Sequence, residues 1–160
     1  MIGEMNKQLF QPSKSKLGDL DARYMILIAY LGATVLGFVP GVKYISWLIP
    51  LIIYFIDKEN KFIAFHAIQA FLLEVVAFVI YIIIGIITAV ALVGAAFGAA
   101  GGLGVFGAGV ASIITIVIAL VVGIGILALA ILAAVKGYRY EIYEIPLVGK
   151  WAEKIVFKTA

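Results

Sequence analysis

The sequence predicts an all-α integral membrane protein with four transmembrane helices. Hydrophobic residues make up 65% of the 160 residues and charged residues only 13%, and the mean hydropathy is +1.19. A soluble domain of this length cannot bury so large an apolar fraction, so a bilayer is its natural solvent. Long apolar runs with basic residues at their ends place one membrane domain at residues 24–137. An N-terminal arm, residues 1–23, precedes this domain, and a tail, residues 138–160, follows it.

The first two apolar runs are short. They cover residues 24–39 and 44–56; Pro40 and Gly41 separate them, and Pro50 lies inside the second. As α-helices they are roughly 24 and 20 Å long, which is less than the ~30 Å hydrocarbon core of a bilayer. Two interpretations stay open, a thin hairpin that spans the membrane and a hairpin that is partly re-entrant.

The third and fourth runs, at about residues 62–93 and 110–135, are long enough to span a membrane with some tilt. The connection between them, residues 94–109, is rich in glycine and has no charge. Gly94, Gly98 and Gly102 recur every four residues, which lets a second helix approach closely if the segment is helical. A flexible loop at the membrane surface is the alternative.

Charge predicts the orientation. With four spans, eleven of the 12 Lys and Arg residues fall on one side of the membrane, and Lys43 alone falls on the other. The positive-inside rule then places both termini in the cytoplasm and the protein in the cell membrane. A re-entrant first hairpin gives the same answer.

The C-terminal segment predicts a helix that lies in the membrane interface. Three apolar residues fall on one helical face and three lysines on another, namely Val148, Trp151 and Ile155, and Lys150, Lys154 and Lys158. This is the pattern of an interfacial amphipathic helix. We therefore expect Trp151 and the lysines to contact membrane lipids.

Small residues at helical spacing favour close packing between helices. Lipid supplies no hydrophobic drive for helix association, so dispersion and polar contacts must provide it. The predicted packing positions are Ala29, Ala33, Gly37, Gly85, Gly94, Gly98, Gly102, Ala119 and Gly123. These faces predict a homo-oligomer or an assembly with a membrane-protein partner.

Glu74 is an acidic residue inside the third run. It lies 12 residues beyond Phe62, or roughly 18 Å along a helix axis. A charged carboxylate at that depth costs about 2.5–3.5 kcal/mol, so we expect it to be paired, hydrogen-bonded or protonated. The candidate partners are Tyr30, Ser112 and Thr115. A structural anchor and a place on a polar pathway both fit this residue.

His66 and Gln69 lie one helical turn apart, where the third helix meets the inner interface. We expect them to hydrogen-bond to the backbone at the end of the short hairpin. A proton-carrying or pH-sensing role for His66 is the alternative. Metal ligation is disfavoured, because the chain has one His and no Cys.

The sequence contains little that indicates catalysis or the binding of a cofactor. No arrangement of nucleophile and base is visible, and no Gly-Lys-Ser/Thr follows the glycines as a phosphate-binding loop requires. We therefore expect neither an enzyme nor a cofactor. The small excess of basic residues, located at helix ends, suits anionic lipid and not nucleic acid.

Several motifs resemble one known family over about residues 24–150. A short hairpin precedes Phe65-His66-Ala67-x-Gln69-Ala70, and Ala133-Ala134-x-Lys136-Gly137 is followed by Ile145-Pro146-Leu147. These motifs resemble small four-helix membrane proteins, mostly uncharacterised bacterial and archaeal ones, related to the twenty-kilodalton channel component of the chloroplast inner-envelope protein translocon. The resemblance implies four membrane helices with both termini on one side and, by analogy, a translocation role.

Two functional hypotheses follow. In the first, a small multi-pass membrane protein acts by assembling with itself or with a partner complex through its small-residue faces. In the second, it is a pore or carrier component. Its polar route near Glu74 would be lined by Tyr81, Thr88, His66 and Gln69.

Overall fold

The computed structural model describes residues 10–36, 39–42, 45–98 and 103–157. In these ranges the chain is helical, apart from turns, irregular segments and an isolated β-bridge between Lys14 and Asp21. The helices are α1 (Ala22–Leu36), α2 (Ser46–Asp57), α3 (Lys61–Phe97), α4 (Leu103–Tyr138) and α5 (Val148–Phe157). The predicted all-helical class is therefore confirmed for the described residues.

Helix α1 begins at a side-chain cap and contains a π-helical segment. The Asp21 carboxylate accepts a hydrogen bond from the Arg23 backbone N–H at 3.1 Å, which satisfies one of the free donors at the helix start. The helix widens to π geometry across Ile28–Gly32. Insertions of this kind often accompany functional positions, and this one contains the buried Tyr30.

Helix α2 starts with a 3₁₀ turn, Ser46–Leu48, and becomes α-helical at Ile49. Pro50 lies in the first α-helical turn, where its missing N–H costs no hydrogen bond. It therefore helps to start the helix and does not interrupt it. At the α-helical rise, α1 and α2 are roughly 22 and 18 Å long, shorter than the hydrocarbon core.

Helices α3 and α4 are long and apolar enough to cross a membrane. They contain 37 and 36 residues, and the candidate spans are Lys61–Phe97 and Gly107–Tyr138. Only 6% and 11% of their most apolar windows are buried within the protein, so the remaining surface needs an apolar solvent. Passage of the first hairpin through the membrane stays a prediction.

The glycine-rich connection is mainly helical where it is described. Helix α3 continues to Phe97, and α4 begins at Leu103. This favours the helical interpretation for residues 94–97 and 103–109. Gly102 lies outside the described residues.

The chain divides into two compact units. Unit 1 comprises Met1–Glu74 and Ala128–Ala160, and unit 2 comprises Val75–Leu127. Most of the buried side chains belong to unit 1, including Phe65, Met25, Ile26 and Ile145. In unit 2 most large apolar side chains are exposed, for example Phe78 and Val90, each at 67%.

Unit 1 gathers both ends of the described chain beside the start of α3. The Phe10 N–H donates to the Tyr140 carbonyl at 3.0 Å, and Lys61 Nζ donates to the Val156 carbonyl at 3.0 Å. The N-terminal segment and α5 thus both lie at the end of unit 1 where α3 begins. That this end is cytoplasmic stays a prediction.

Candidate functional site

A buried polar centre joins α1 to α3 in unit 1. Its members are Tyr30, His66 and Gln69, which are 2%, 0% and 0% exposed. Gln69 Nε2 donates to the Tyr30 hydroxyl at 2.7 Å, and that hydroxyl lies 3.2 Å from His66 Nδ1. Because the hydroxyl accepts from Gln69, it is free to donate its own proton to Nδ1. This arrangement favours the His66 tautomer with its proton on Nε2.

Gln69 also binds the segment between α4 and α5. Its Nε2 donates to the Tyr143 carbonyl at 2.9 Å, and its Oε1 accepts from the Ile145 N–H at 3.0 Å. The amide thus uses both of its donor hydrogens and its acceptor oxygen. One side chain holds α1, α3 and the C-terminal segment together.

The surroundings of His66 are mainly aromatic. The rings of Phe62, Phe65 and Tyr30 lie edge-on to the imidazole, with centroids 4.9, 5.4 and 5.9 Å away. Its Nε2 is buried and makes no hydrogen bond of good geometry among the described residues, although the Glu141 backbone is close enough to interact with the ring. This environment suits a packed structural histidine.

The structure corrects the predicted partners in two ways. We expected His66 and Gln69 to bond to backbone; Gln69 does so, whereas His66 meets the Tyr30 hydroxyl. We also offered Tyr30 as a partner for Glu74, but Gln69 and His66 occupy its hydroxyl. Sequence spacing could not reveal this, because Tyr30 lies on a different helix and in a π-helical segment.

Glu74 is half-buried at the boundary of unit 1 and makes no recorded hydrogen bond or ion pair with another described residue. The other two expected partners bond within their own helix. Ser112 Oγ donates to the Ala108 carbonyl at 2.8 Å, and Thr115 Oγ1 donates to the Ala111 carbonyl at 2.9 Å. Such i−4 bonds are the usual way for a hydroxyl inside a helix to satisfy itself. These bonds use the hydroxyl protons, and a pairing of Glu74 with Ser112 or Thr115 stays a prediction.

The remaining polar candidates belong to unit 2. Tyr81 donates to the Ala119 carbonyl at 3.4 Å, which links α3 to α4. Thr88 Oγ1 donates to the Ile84 carbonyl of its own helix at 2.7 Å. This i−4 bond uses the hydroxyl proton of Thr88, and the place of Thr88 on a polar route stays a prediction.

A second polar cluster fastens the N-terminal segment to the turn between α2 and α3. Asp57 is 1% exposed; its carboxylate accepts from Ser15 Oγ and, at 2.7 Å, from the Lys16 N–H. Asn60 Nδ2 donates to Ser13 Oγ at 3.0 Å. Since a buried carboxylate is tolerated only when it is bonded, this segment is integral to the fold.

A third cluster joins the start of α1 to the end of α4. The Tyr140 hydroxyl donates to Asp21, and Arg23 forms an ion pair with Asp21 at 2.9 Å. The Arg23 guanidinium also lies 5.5 and 5.4 Å from the ring centroids of Tyr138 and Tyr140. The hydrogen bonds from Arg23 and then Tyr140 lower the pKa of Asp21 to about 2.

The predicted packing positions differ in their surroundings. Ala29 is buried, and Ala119 supplies the carbonyl that Tyr81 binds. A Cβ at Gly123 would lie 2.7 Å from the Tyr81 hydroxyl, so this glycine makes room for that contact.

Three other predicted glycines are open in the described structure. Around Gly85 and Gly94 no described atom lies within 4 Å of an added Cβ, and at Gly98 the nearest is the Gly104 Cα at 3.9 Å. Gly37 lies outside the described residues, as does the side chain of Ala33.

Two further glycines, Gly137 and Gly149, also make close approaches. A Cβ at Gly137 would lie 2.5 Å from Ile26 Cγ2 and 3.3 Å from His66 Cε1. At Gly149 it would lie 2.9 Å from Gln69 Oε1. In the sequence, the Lys136-Gly137 motif is the signal for the close approach at Gly137. The close approach at Gly149 is explained only by the fold.

The orientation of α5 also differs from the prediction. Its buried face consists of Val148, Ala152 and Val156, whereas Trp151 is 55% exposed. Val148 therefore packs against the protein and not beside Trp151 on a lipid-facing surface. Lys150 and Lys154 are exposed, as we expected, and Lys158 lies outside the described residues.

Metal-binding groups are sparse in the described part of the chain. There, His, Asp and Glu side chains form no group of three or more that could hold a metal ion. Asp21 instead pairs with Arg23, and Asp57 accepts from the Ser15 hydroxyl.

Comparison with known proteins identifies a family. The model of the MamF/MmsF magnetosome magnetite crystal formation protein family matches residues 21–152, a range that runs from the cap of α1 into α5. No curated protein and no solved structure matches the chain.

This match overturns the resemblance to relatives of the chloroplast translocon component, and with it the translocation role. The motifs behind that resemblance are nevertheless real features of the core. Phe65, His66, Ala67 and Gln69 are each 0% exposed. Small residues and buried polar groups at a helix crossing report packing geometry, which does not identify a function.

Proposed function

The chain belongs to the magnetosome magnetite crystal formation family, and from this membership we propose that it is an integral membrane component that takes part in magnetite formation by assembling in the membrane. The observation that carries the proposal is the family match over residues 21–152. Helices α3 and α4 support it, because both are long enough to cross a membrane and their apolar windows are little buried within the protein.

In this proposal the chain organises the membrane in which magnetite forms. It does not itself provide a surface that binds iron. Iron and other hard cations are held by clustered carboxylates with free oxygens. In the described structure Asp57 accepts from Ser15 and the Lys16 backbone, and Asp21 pairs with Arg23. Two more carboxylates meet lysines at 2.5 Å, in the pairs Glu59–Lys16 and Glu141–Lys136.

Assembly is supported by the free surface of unit 2. The apolar side chains of α3 are widely exposed there, and the space around Gly85 is open among the described residues. A small residue on an exposed helix face lets another helix approach closely in lipid. We therefore place a contact between copies of the chain at Gly85.

The chain offers a direct test of assembly because it contains no cysteine. A single Gly85→Cys substitution in the full chain should give strong disulfide-linked dimers on mild oxidation in membranes. Ile87→Cys is the matched control, since residue 87 is about 200° away around the helix and is also exposed, at 61%. Equal crosslinking of the two variants, or none, would show that Gly85 is not at an interface.

A second experiment tests the role in mineral formation. Magnetite is precipitated from ferrous and ferric salts at alkaline pH in the presence of liposomes that contain the full chain. We expect the crystal-size distribution, measured by electron microscopy, to differ from that obtained with protein-free liposomes. Identical distributions at all protein densities would refute the proposed participation, whatever the crosslinking result.

A further inference from the structure

A groove in unit 1 separates the end of α2 from α5. It is lined by Tyr54, Lys58, Glu59, Lys61, Ile155 and Val156, and its cavity volume is about 520 Å³. This volume falls within the ~300–1,000 Å³ typical of small-molecule sites. We refer to it as the α2–α5 groove.

The α2–α5 groove presents two cations. Lys58 and Lys61 are both exposed, one at the end of α2 and the other at the start of α3. Lys61 Nζ donates to the Val156 carbonyl at 3.0 Å, which holds the ammonium in the groove. An ammonium has three donor hydrogens, so two remain for a ligand.

The one acidic residue in the groove lining is already compensated. The Glu59 carboxylate lies 2.5 Å from Lys16 Nζ, and this hydrogen bond lowers the pKa of Glu59. Glu59 is therefore ionised and paired at neutral pH. The field in the α2–α5 groove is set by Lys58 and Lys61, and it favours an anion.

The borders of the groove are apolar. Ile155 is 40% exposed, and one turn earlier on the same helix Trp151 is 55% exposed. On α2, Tyr54 is part of the groove lining, and the neighbouring Phe55 is 64% exposed. A small soluble anion would make no favourable contact with these apolar side chains. A phospholipid can place its headgroup on the lysines and its acyl chains along the apolar side chains.

The location agrees with a lipid ligand. The α2–α5 groove lies where the candidate span Lys61–Phe97 begins, which is the depth at which headgroups meet a membrane helix. We propose that the α2–α5 groove binds the phosphate headgroup of an anionic phospholipid, with Lys58 and Lys61 as its ligands. The proposal is independent of any role in magnetite formation.

The test uses the full chain in mild detergent with added phosphatidylglycerol, and bound lipid is measured by native mass spectrometry. Removing both charges, by Lys58→Gln with Lys61→Gln, should weaken lipid binding roughly fivefold for each lysine. The matched control, Lys14→Gln with Arg139→Gln, removes the same charge from exposed residues outside the groove and should change binding less than twofold, on the scale of a screened surface charge. Equal losses in the two double variants would overturn the proposal, because they would show only general surface attraction.

A measurement on the unaltered chain guards against a variant that fails to fold. Phosphatidylglycerol with a photoreactive headgroup should label peptides that contain residues 54–61 and 155–156 in liposomes. Labelling confined to other segments would refute the site. Inorganic phosphate at millimolar concentration should leave the labelling unchanged; if it abolishes labelling, the groove binds free phosphate and the lipid assignment is wrong.

Discussion

Gln69 provides the most direct test of how unit 1 is held together. Replacing it by Met keeps the length and flexibility of the side chain but removes every polar atom. Three hydrogen bonds are lost, to the Tyr30 hydroxyl, the Tyr143 carbonyl and the Ile145 N–H. Each contributes about 0.5–1.5 kcal/mol net, and a buried donor left without a partner costs about 1–3 kcal/mol.

The losses are not strictly additive. The Tyr30 hydroxyl keeps its contact with His66, whereas the Ile145 N–H belongs to a residue that is 1% exposed and loses its acceptor. We therefore expect the C-terminal segment to be destabilised by about 3 kcal/mol, which is about a hundredfold in its local opening constant. The effect should be concentrated between α4 and α5, because two of the three bonds end there.

Hydrogen–deuterium exchange of the full chain in detergent measures this opening directly. Peptides that cover residues 141–149 should exchange about a hundredfold faster in Gln69→Met. The control is Thr88→Val, since Thr88 bonds only to its own helix, and it should leave these peptides unchanged. A change of less than about threefold in Gln69→Met would mean that the segment is held by apolar packing, and the polar-centre argument would fail.

Three further predictions concern the other contacts of unit 1. Gly137→Ala should lower the free energy of unfolding in detergent by about 1–3 kcal/mol through overpacking against Ile26, whereas Gly125→Ala, with open space around it, should not; equal effects would contradict the close approach. Asp57→Asn should speed tryptic cleavage at Lys14 and Lys16, because Ser15 and the Lys16 N–H donate to different carboxylate oxygens and the amide replaces one of these oxygens by an NH2 group, which cannot accept; the exposed Asp19→Asn should have no such effect. Because Asp21 has its pKa lowered from 3.8 to about 2, its contribution to stability is complete above pH 3.8 and is lost as the pH falls toward 2; the melting temperature of the unaltered chain should fall over this window more steeply than that of Asp21→Asn.

The sequence predicts the two long helices well. Hydropathy alone locates α3 and α4, because a run of this length has no other stable environment. The motif around His66, Phe65–Ala70, also stands out in the sequence, and its residues are buried. Both signals are local, so a single sequence contains them.

The partners across the fold could not be predicted. Gln69 binds Tyr30, Tyr143 and Ile145, which are 39, 74 and 76 residues away in the chain. Helical periodicity says which face Gln69 occupies but not what packs on it. The rotation of α5 was missed for the same reason: Ala152 contributes little to a hydrophobic pattern, yet it is fully buried because a small residue fits closest to the protein.

The two units of the chain depend on different interactions, and this bears on the proposed role. Unit 1 is held by directional contacts within the chain, including those of Gln69, Asp57 and Asp21. In unit 2 the described apolar side chains are largely exposed, so a bilayer or another helix must cover them. Removal from the membrane should therefore expose unit 2 to aggregation while unit 1 keeps its fold. Exchange protection at residues 141–149 that survives delipidation, together with concentration-dependent association through α3, is the outcome that this division requires; loss of both together would show that lipid stabilises unit 1 as well.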